Sequence, residues 1–201
     1  MANEAELIRA ALSGDSEAFG QLVRTHQERL YAAMLQVTRS TEEAEDVVQE
    51  AFVRAFLKLD SFHGNSQFFT WLYRIAFNNA LSRRRRKQPS VSLEQAREAT
   101  GAEPVDHVDA PDAGLLREER VAMIQRALDQ LTLEHRAILV LREMEDQSYE
   151  AIADILQISI GTVRSRLNRA RTQLRLALEG MQQAEQQRDN PDAGNRNING
   201  L

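Results

Sequence analysis

A run of cationic and small polar side chains near the carboxyl end of the chain has the composition of a surface that reads DNA. Five arginines and no acidic residue lie between Ile155 and Leu178. Guanidinium and side-chain amide groups make paired hydrogen bonds with base edges in the major groove, and flanking arginines hold phosphates. The candidate reading residues are Arg164, Ser165, Asn168, Arg169 and, on the flank, Arg171.

Two helices joined by a tight turn would present these residues. Ser148 is placed to cap the first helix, and residues 157–159 form the turn, with Ser159 capping the second helix. In the second helix, apolar residues recur every three or four positions, which produces one buried stripe behind the polar face. The predicted stripe consists of Val163, Leu167, Ala170, Leu174 and Leu178.

This pattern has an ordinary interpretation as well as a functional one. The charged outer face of an amphipathic helix is usually a solvated surface. A short helix, a tight turn and a long helix together favour DNA binding, because this pairing recurs in proteins that place the second helix in the major groove. Gln157 stands where many such turns carry glycine, so a residue with a Cβ must tolerate that backbone.

The composition limits the class of protein. The chain has 201 residues, a formal net charge of −5 and no cysteine, which excludes disulfides and thiolate metal sites. No apolar run approaches the ~20 residues of a membrane span, and the acidic, amphipathic amino terminus is unlike a signal peptide. We therefore expect a soluble, cytoplasmic protein. Alternating β-branched runs are absent and helix-favouring residues dominate, so the predicted fold class is all-α.

Helical periodicity predicts two small helical domains joined by a linker. Residues 1–87 form a bundle of four helices. Residues 88–114 contain prolines and acids with little apolar material, which predicts a flexible acidic linker. Residues 115–180 contain the helix-turn-helix, and the Gln/Asn-rich residues 181–201 are predicted to form a disordered tail. Further predicted helix caps are Asn3, Asp15, Ser40 and Thr132.

The first domain carries three features that a DNA-reading helix pair does not explain. The first is an acidic and polar helix face, although such a face is more often simply solvated. The second is a group of aromatic residues, which at helical spacing more often belong to a core, but which beside a basic strip can stack on unpaired bases. The third is the run Arg83–Lys87, whose five cations repel one another and favour an anionic partner such as phosphate. The members of the first two groups are Asp46, Gln49, Glu50 and Arg54, and Phe62, Phe68, Phe69, Trp71 and Tyr73.

Three stretches of the sequence resemble the extracytoplasmic-function group of bacterial sigma factors, the promoter-specificity subunits of RNA polymerase. They are EAEDVVQEAFVRAF (43–56), FFTWLYRIAFNNALSRRRR (68–86) and SYEAIADILQISIGTVRSRLNRAR (148–171). Each stretch alone is moderately specific for this family, and the occurrence of all three in this order across an acidic linker is highly specific for it. The resemblance covers residues 7–87 and 115–178.

The resemblance implies a role for each stretch. The helix with the DxxQExF pattern would dock on a coiled coil of the large clamp subunit, through Asp46, Gln49, Glu50 and Phe52, with Arg54 nearby. The following loop and helix would melt the minus-ten element and capture a flipped base, and the basic run would take adjacent phosphates. The implied minus-ten residues are Phe62, His63, Asn65, Ser66, Trp71, Arg74, Asn78, Ser82, Arg83, Arg84, Arg85, Arg86 and Lys87.

In the second domain, the resemblance implies that Arg164, Ser165, Asn168, Arg169 and Arg171 read the minus-thirty-five element. The implied partners are promoter DNA, core RNA polymerase through its clamp and flap subunits, and an anti-sigma factor. The sequence departs from the family pattern at His63, where arginine is common, and around the turn, where Gln157 and Ser159 replace the common Gly and Pro.

Two other functions compete with the sigma factor. A stand-alone helix-turn-helix regulator would bind duplex DNA without polymerase, but it would leave residues 43–56 and 68–86 unexplained. An enzyme would need a site, and the four histidines are scattered without metal-binding spacing, while a glycine-rich phosphate loop is absent. We therefore expect no catalytic residues, no metal and no cofactor.

Overall fold

The computed structural model describes residues 3–87 and 113–189, and within these ranges all regular structure is helical. The predicted all-α fold class is confirmed. The predictions for residues 88–112, which make up nearly all of the acidic linker, and for residues 190–201 of the tail lie outside the described residues.

The first lobe consists of four helices: α1 (Glu4–Leu12), α2 (Ser16–Thr38), α3 (Thr41–Leu57) and α4 (Phe68–Lys87), with a 3₁₀ turn at Leu59–Ser61. Local caps determine where three of them begin. The Asp15 carboxylate accepts hydrogen bonds from two backbone amides of α2, those of Glu17 at 2.9 Å and Ala18 at 3.2 Å. Asn3 caps α1 and Ser40 caps α3 in the same way, as predicted.

The core of this lobe lies where α2, α3 and α4 meet. α2 and α4 each pack against α3, and α1 packs against α2. The aromatic residues of α4 are core residues, because Phe68, Phe69 and Tyr73 are all buried. On α3, Val47, Ala51 and Ala55 are fully buried, whereas Phe56 is 50% exposed and packs edge-on against Phe19.

The second lobe consists of α5 (Ala113–Asp129), α6 (Leu133–Leu139), α7 (Tyr149–Leu156) and α8 (Ile160–Asp189). A π-helical turn at Val140–Met144 follows α6, and Met144 is 56% exposed there. Thr132 caps α6 as predicted. α5 begins two residues before the predicted boundary, and residues 181–189, predicted as the start of a disordered tail, continue α8.

The two lobes pack against each other through α2 with α6 and the π-helical turn, and through α4 with α7. Arg136 of α6 lies in this contact and is only 6% exposed. Its guanidinium donates hydrogen bonds to the backbone carbonyl of Val37 at 2.7 Å, of Leu131 at 2.9 Å and of Leu128 at 3.2 Å. Burial lowers the pKa of Arg136 to about 10, so the side chain remains charged at neutral pH.

Gln157 has the left-handed backbone that its place in the turn requires, with φ 55° and ψ 48°. Its side-chain amide partly offsets the strain by donating to the Asp154 carbonyl at 2.6 Å.

The backbone of Gln157 gives a test, because a β-branched residue tolerates positive φ least. Replacing Gln157 with Val should therefore lower the free energy of unfolding by about 1–3 kcal/mol, measured by urea denaturation. Gln157→Gly is the control and should be close to neutral; equal losses in both variants would contradict a backbone origin.

Candidate nucleic-acid interface

The α7–turn–α8 unit presents a polar face to solvent. The Ser148 hydroxyl accepts from the Ala151 amide at 3.1 Å and the Ser159 hydroxyl from the Thr162 amide at 3.1 Å, so both predicted caps are present. The stripe residues Val163, Leu167 and Ala170 are at most 1% exposed, whereas Leu174 and Leu178 are only partly buried. The opposite side is open, and the exposed residues there are Arg164, Ser165, Asn168, Arg169 and Arg171.

Arg171 is a candidate reading residue that already has an anionic partner in the folded chain. Its Nε and Nη2 atoms donate to one carboxylate oxygen of Glu143, at 3.0 Å and 2.6 Å. This hydrogen bond raises the pKa of Arg171. Both side chains are about half exposed, 49% and 51%, so the pair is weak and a phosphate can compete for the arginine.

The acidic side chains on the polar face of α3 form salt bridges with arginines of the same lobe. Arg83 of α4 reaches across to α3 and contacts Asp46 at 2.7 Å and Glu50 at 3.2 Å. Arg54 contacts the other oxygen of Glu50 at 2.5 Å, one turn along α3. Burial alone would raise the pKa of Glu50, but the hydrogen bonds from Arg54 and Arg83 outweigh it and the pKa is lowered. Asp46 and Gln49 stay exposed, so the face remains available to a partner.

Phe52 does not belong to this exposed face. Its side chain is 8% exposed and packs in the core of the first lobe, so it cannot make the surface contact with polymerase assigned to it. Its structural role is to anchor α3. The large apolar residues that are exposed on α3 are Val53, Phe56 and Leu57, which lie toward the end of the helix.

The loop before α4 and the start of α4 form an aromatic cluster. The ring of Phe62 lies 5.6 Å from that of Phe68 and 5.4 Å from that of Trp71, measured between centroids. Trp71 is buried, with 6% exposed, so the structure does not leave it free as a stacking platform. The other predicted residues of the loop, His63, Asn65 and Ser66, are exposed, as is Asn78 on α4. Arg74 and Ser82 are partly exposed, and the Ser82 hydroxyl donates to the Asn78 carbonyl at 2.8 Å.

The basic run at the end of α4 divides into two groups. Arg83 contacts the acids of α3, and the ammonium of Lys87 lies 3.9 Å from the Glu43 carboxylate. Arg84 is partly exposed, and Arg85 and Arg86 are exposed. Sequence alone does not distinguish these five cations, whereas in the part of the chain that the structure describes Arg83 and Lys87 have acidic partners.

Sequence reasoning missed the residues of the second lobe that face the loop. A cleft between the lobes is lined by Phe62, His63, Trp71 and Arg74 on one side and by Asp154 and Gln157 on the other. Arg29, Arg39 and Arg136, which join the lobes, were also missed. Their partners are remote in sequence and no local pattern marks them.

Two family models match the chain: sigma-70 region 2 over residues 22–89 and sigma-70 region 4 over residues 122–174. The "RNA polymerase sigma-H factor" of Pseudomonas aeruginosa is 38% identical, over 87% of this chain and 93% of that protein. The "ECF RNA polymerase sigma-E factor" of Escherichia coli K12 is 37% identical, over 82% and 88%.

Two solved structures of similar fold match the chain over most of its length. CnrH in complex with the cytosolic domain of CnrY is 30% identical and superposes with a TM-score of 0.60, covering 87% of this chain and 96% of that one. RpoE of Bartonella quintana in complex with the anti-sigma factor NepR is 26% identical, with a TM-score of 0.62 and coverage of 80% and 96%.

The resemblance in the sequence is thereby confirmed over both lobes. The helix-turn-helix of the second lobe falls within the region 4 match, and the acidic face and aromatic cluster of the first lobe fall within the region 2 match. The comparisons favour a sigma factor over a stand-alone regulator. The chain belongs to the extracytoplasmic-function group of RNA polymerase sigma factors.

Proposed function

We propose that the chain divides the work of promoter recognition among three surfaces. The exposed face of α3 docks on the clamp subunit of core RNA polymerase, the loop before α4 opens the minus-ten element, and α8 reads the minus-thirty-five element. The observation that carries the proposal is the reading face of α8. Arg164, Asn168 and Arg169 are exposed along one side, and the other side is packed in the core.

Docking through α3 is supported by the exposed carboxylate and amide of Asp46 and Gln49. Glu50 is oriented by Arg54 and Arg83. A carboxylate whose rotamer is already fixed loses less side-chain entropy when it meets a partner. In place of the buried Phe52, the apolar part of the docking surface is Val53, Phe56 and Leu57.

Strand opening uses the loop and the aromatic cluster. His63, Asn65 and Ser66 are exposed and can contact an unpaired strand, while Arg85 and Arg86 supply cations for its phosphates. Capture of a flipped base offsets the few kcal/mol of unstacking. Trp71 lines the cleft below the loop, so it stacks on a base only after the loop has moved.

Polymerase makes the two lobes act together. Each lobe alone offers few DNA contacts. When both lobes are docked on polymerase, binding of one lobe to the promoter makes the binding of the other lobe an intramolecular event. We infer that the chain carries out no covalent chemistry and works in the cytoplasm, where polymerase and promoters are. In the described ranges, no helix has the length and apolar character needed to cross a membrane.

We also propose an anti-sigma factor as a partner. The support is that CnrH and the Bartonella quintana RpoE, whose matches cover 87% and 80% of this chain, were each solved with a bound partner protein. A partner that covers the α3 face would compete directly with polymerase.

Run-off transcription from a promoter library tests the proposed function. Core polymerase with this protein should start transcripts from a subset of promoters that share two short elements, and core polymerase alone should not. Promoter-specific initiation that does not depend on added protein would refute a sigma factor. Tight promoter binding without polymerase would favour a stand-alone regulator instead.

The pair between Arg171 and Glu143 gives a test of the duplex-binding face. Replacing Glu143 with Gln frees the arginine for a phosphate, so the full chain should bind non-specific duplex a few-fold more tightly, with a salt slope steeper by up to ~1. Fluorescence anisotropy across a salt series measures both quantities. Glu179→Gln is the matched control, because it makes the same charge change beside Arg175, outside the proposed reading face. Equal effects in both variants would mean that only net charge matters.

A further inference from the structure

His26 is a polar side chain buried in the first lobe. It lies on α2 and is 7% exposed. Its Nε2 atom lies 2.8 Å from a carboxylate oxygen of Glu4, the first residue of α1. Because a carboxylate only accepts hydrogen bonds, the imidazole donates from Nε2. A buried donor without a partner is costly, so the acceptor on Glu4 is what allows an imidazole at this point of the core.

The first turn of α1 is fixed locally, which places Glu4 for this bond. Asn3 and Glu6 form a capping box, in which the backbone amide of Asn3 donates to the Glu6 carboxylate at 3.1 Å. The box satisfies backbone amides at the start of the helix and defines its direction. α1 then packs along α2, so Glu4 meets His26 from a held helix end.

The imidazole packs against aromatic residues at the start of α4. The ring centroid of His26 lies 5.4 Å from that of Phe68 and 6.0 Å from that of Phe69. Phe68 is 1% exposed, and it also contacts Phe62 and Trp71, with centroids 5.6 Å and 5.7 Å away. The same buried phenylalanine therefore contacts both the imidazole and the loop before α4.

This series of contacts connects α1 to the strand-opening loop, the name used here for residues 62–67. Phe62 is partly buried, whereas residues 63–67 are exposed, so Phe62 anchors the loop on the lobe. Protein interiors are close-packed, and a ring that shifts displaces its neighbours. A change in the imidazole of His26 should therefore pass through Phe68 to the position of the loop.

We propose that His26 and Glu4 are positioning residues for strand opening. The hydrogen bond between them fixes the imidazole, which through Phe68 and Phe62 determines where the exposed part of the strand-opening loop meets an unpaired strand. The inference rests on the proposed function for the role of the loop. It gives α1 a part in promoter opening that is distinct from docking through α3 and from duplex reading by α8.

Replacing Glu4 with Ala tests this inference, because it leaves the His26 donor without its acceptor. Open-complex formation with core polymerase should fall about 5- to 10-fold, the equivalent of one lost buried hydrogen bond. Permanganate reactivity of unpaired thymines measures the opening. The affinity for polymerase and the binding of closed promoter DNA should not change. Glu4→Gln keeps an acceptor oxygen and should restore most of the opening, and His26→Ala should reproduce the loss.

Trp71 provides an independent readout, because it is the single tryptophan of the chain and contacts both Phe62 and Phe68. In the free protein, Glu4→Ala and His26→Ala should each shift its fluorescence emission to longer wavelength and increase quenching by acrylamide. If the two residues only stabilised the fold, the emission of the folded variants would be unchanged. Glu4→Ala carries the test if His26→Ala does not fold, since the Glu4 side chain is 43% exposed.

Two control variants separate positioning from general weakening of the lobe. Glu17→Ala removes the same side chain from an exposed pair with Arg24 and should leave opening and emission unchanged. Ala10→Gly weakens α1 near its other end and should lower stability without changing opening. Normal opening in Glu4→Ala, or an equal loss in Ala10→Gly, would overturn the inference. Failure of the unmodified protein to initiate would instead refute the proposed function.

Discussion

Replacing Asn168 and Arg169 together with Ala should lower promoter-specific initiation by about 100-fold at limiting protein concentration. Both side chains are exposed on the same side of α8 and come from the residue types that bond base edges in pairs. Each such paired contact discriminates by about 1–3 kcal/mol, so a loss of two powers of ten, about 2.8 kcal/mol, lies toward the lower end of what losing two contacts should cost. Run-off transcription with core polymerase on a promoter from the library measures the loss.

A base-reading role predicts more than weaker binding. The double variant should also relax the base preference at one or two positions of the upstream element, because the remaining contacts to phosphate carry no sequence information. The control is Arg175→Ala, which removes an exposed cation from the same helix beyond the reading face, where Arg175 contacts Glu179 at 3.8 Å. An unchanged base preference in the double variant, or an equal loss in the control, would assign α8 to phosphate binding alone.

Replacing Arg136 with Ala should lower the free energy of unfolding by about 2–4 kcal/mol, because buried carbonyls that lose their donor keep their desolvation cost. Three carbonyls are affected: that of Val37 in the first lobe and those of Leu128 and Leu131 in the second. Urea denaturation followed by far-ultraviolet circular dichroism measures the change. The two lobes should also unfold less cooperatively, because a direct bond between them is lost.

Two further variants separate bonding from packing at Arg136. Arg136→Met fills most of the same volume without donors, and it should be nearly as destabilised as the Ala variant if the three hydrogen bonds are the cause. Arg24→Ala removes a surface arginine whose pair with Glu17 is 58% and 71% exposed, and it should change stability by less than ~0.5 kcal/mol. A fully stable Met variant would show that the site requires only volume.

The sequence determined where most helices begin, because a cap bonds to backbone amides within three residues of it. Asp15, Thr132 and Ser148 were predicted as caps and are confirmed. The polar reading side of α8 was equally predictable, since helical periodicity alone separates Asn168 from its buried neighbour Leu167.

Local pattern failed where packing between helices decides. The resemblance places Phe52 on a docking surface and Trp71 among the minus-ten residues, but both side chains are buried in the folded chain. No local pattern predicts the π-helical turn after α6, in which Val140 and Leu141 are buried while Met144 is exposed.

The sequence by itself thus determined the family, the helices and the types of side chain that meet DNA. Only the tertiary structure decided which cations are paired with acids. Arg83 and Arg171 contact acids 37 and 28 residues away in the chain. It alone decided the joint between the lobes, where Arg136 bonds a carbonyl 99 residues distant. The reason is physical: caps and helical periodicity arise from neighbours within one or two turns, whereas burial and ion pairing depend on segments that meet only when the chain has folded.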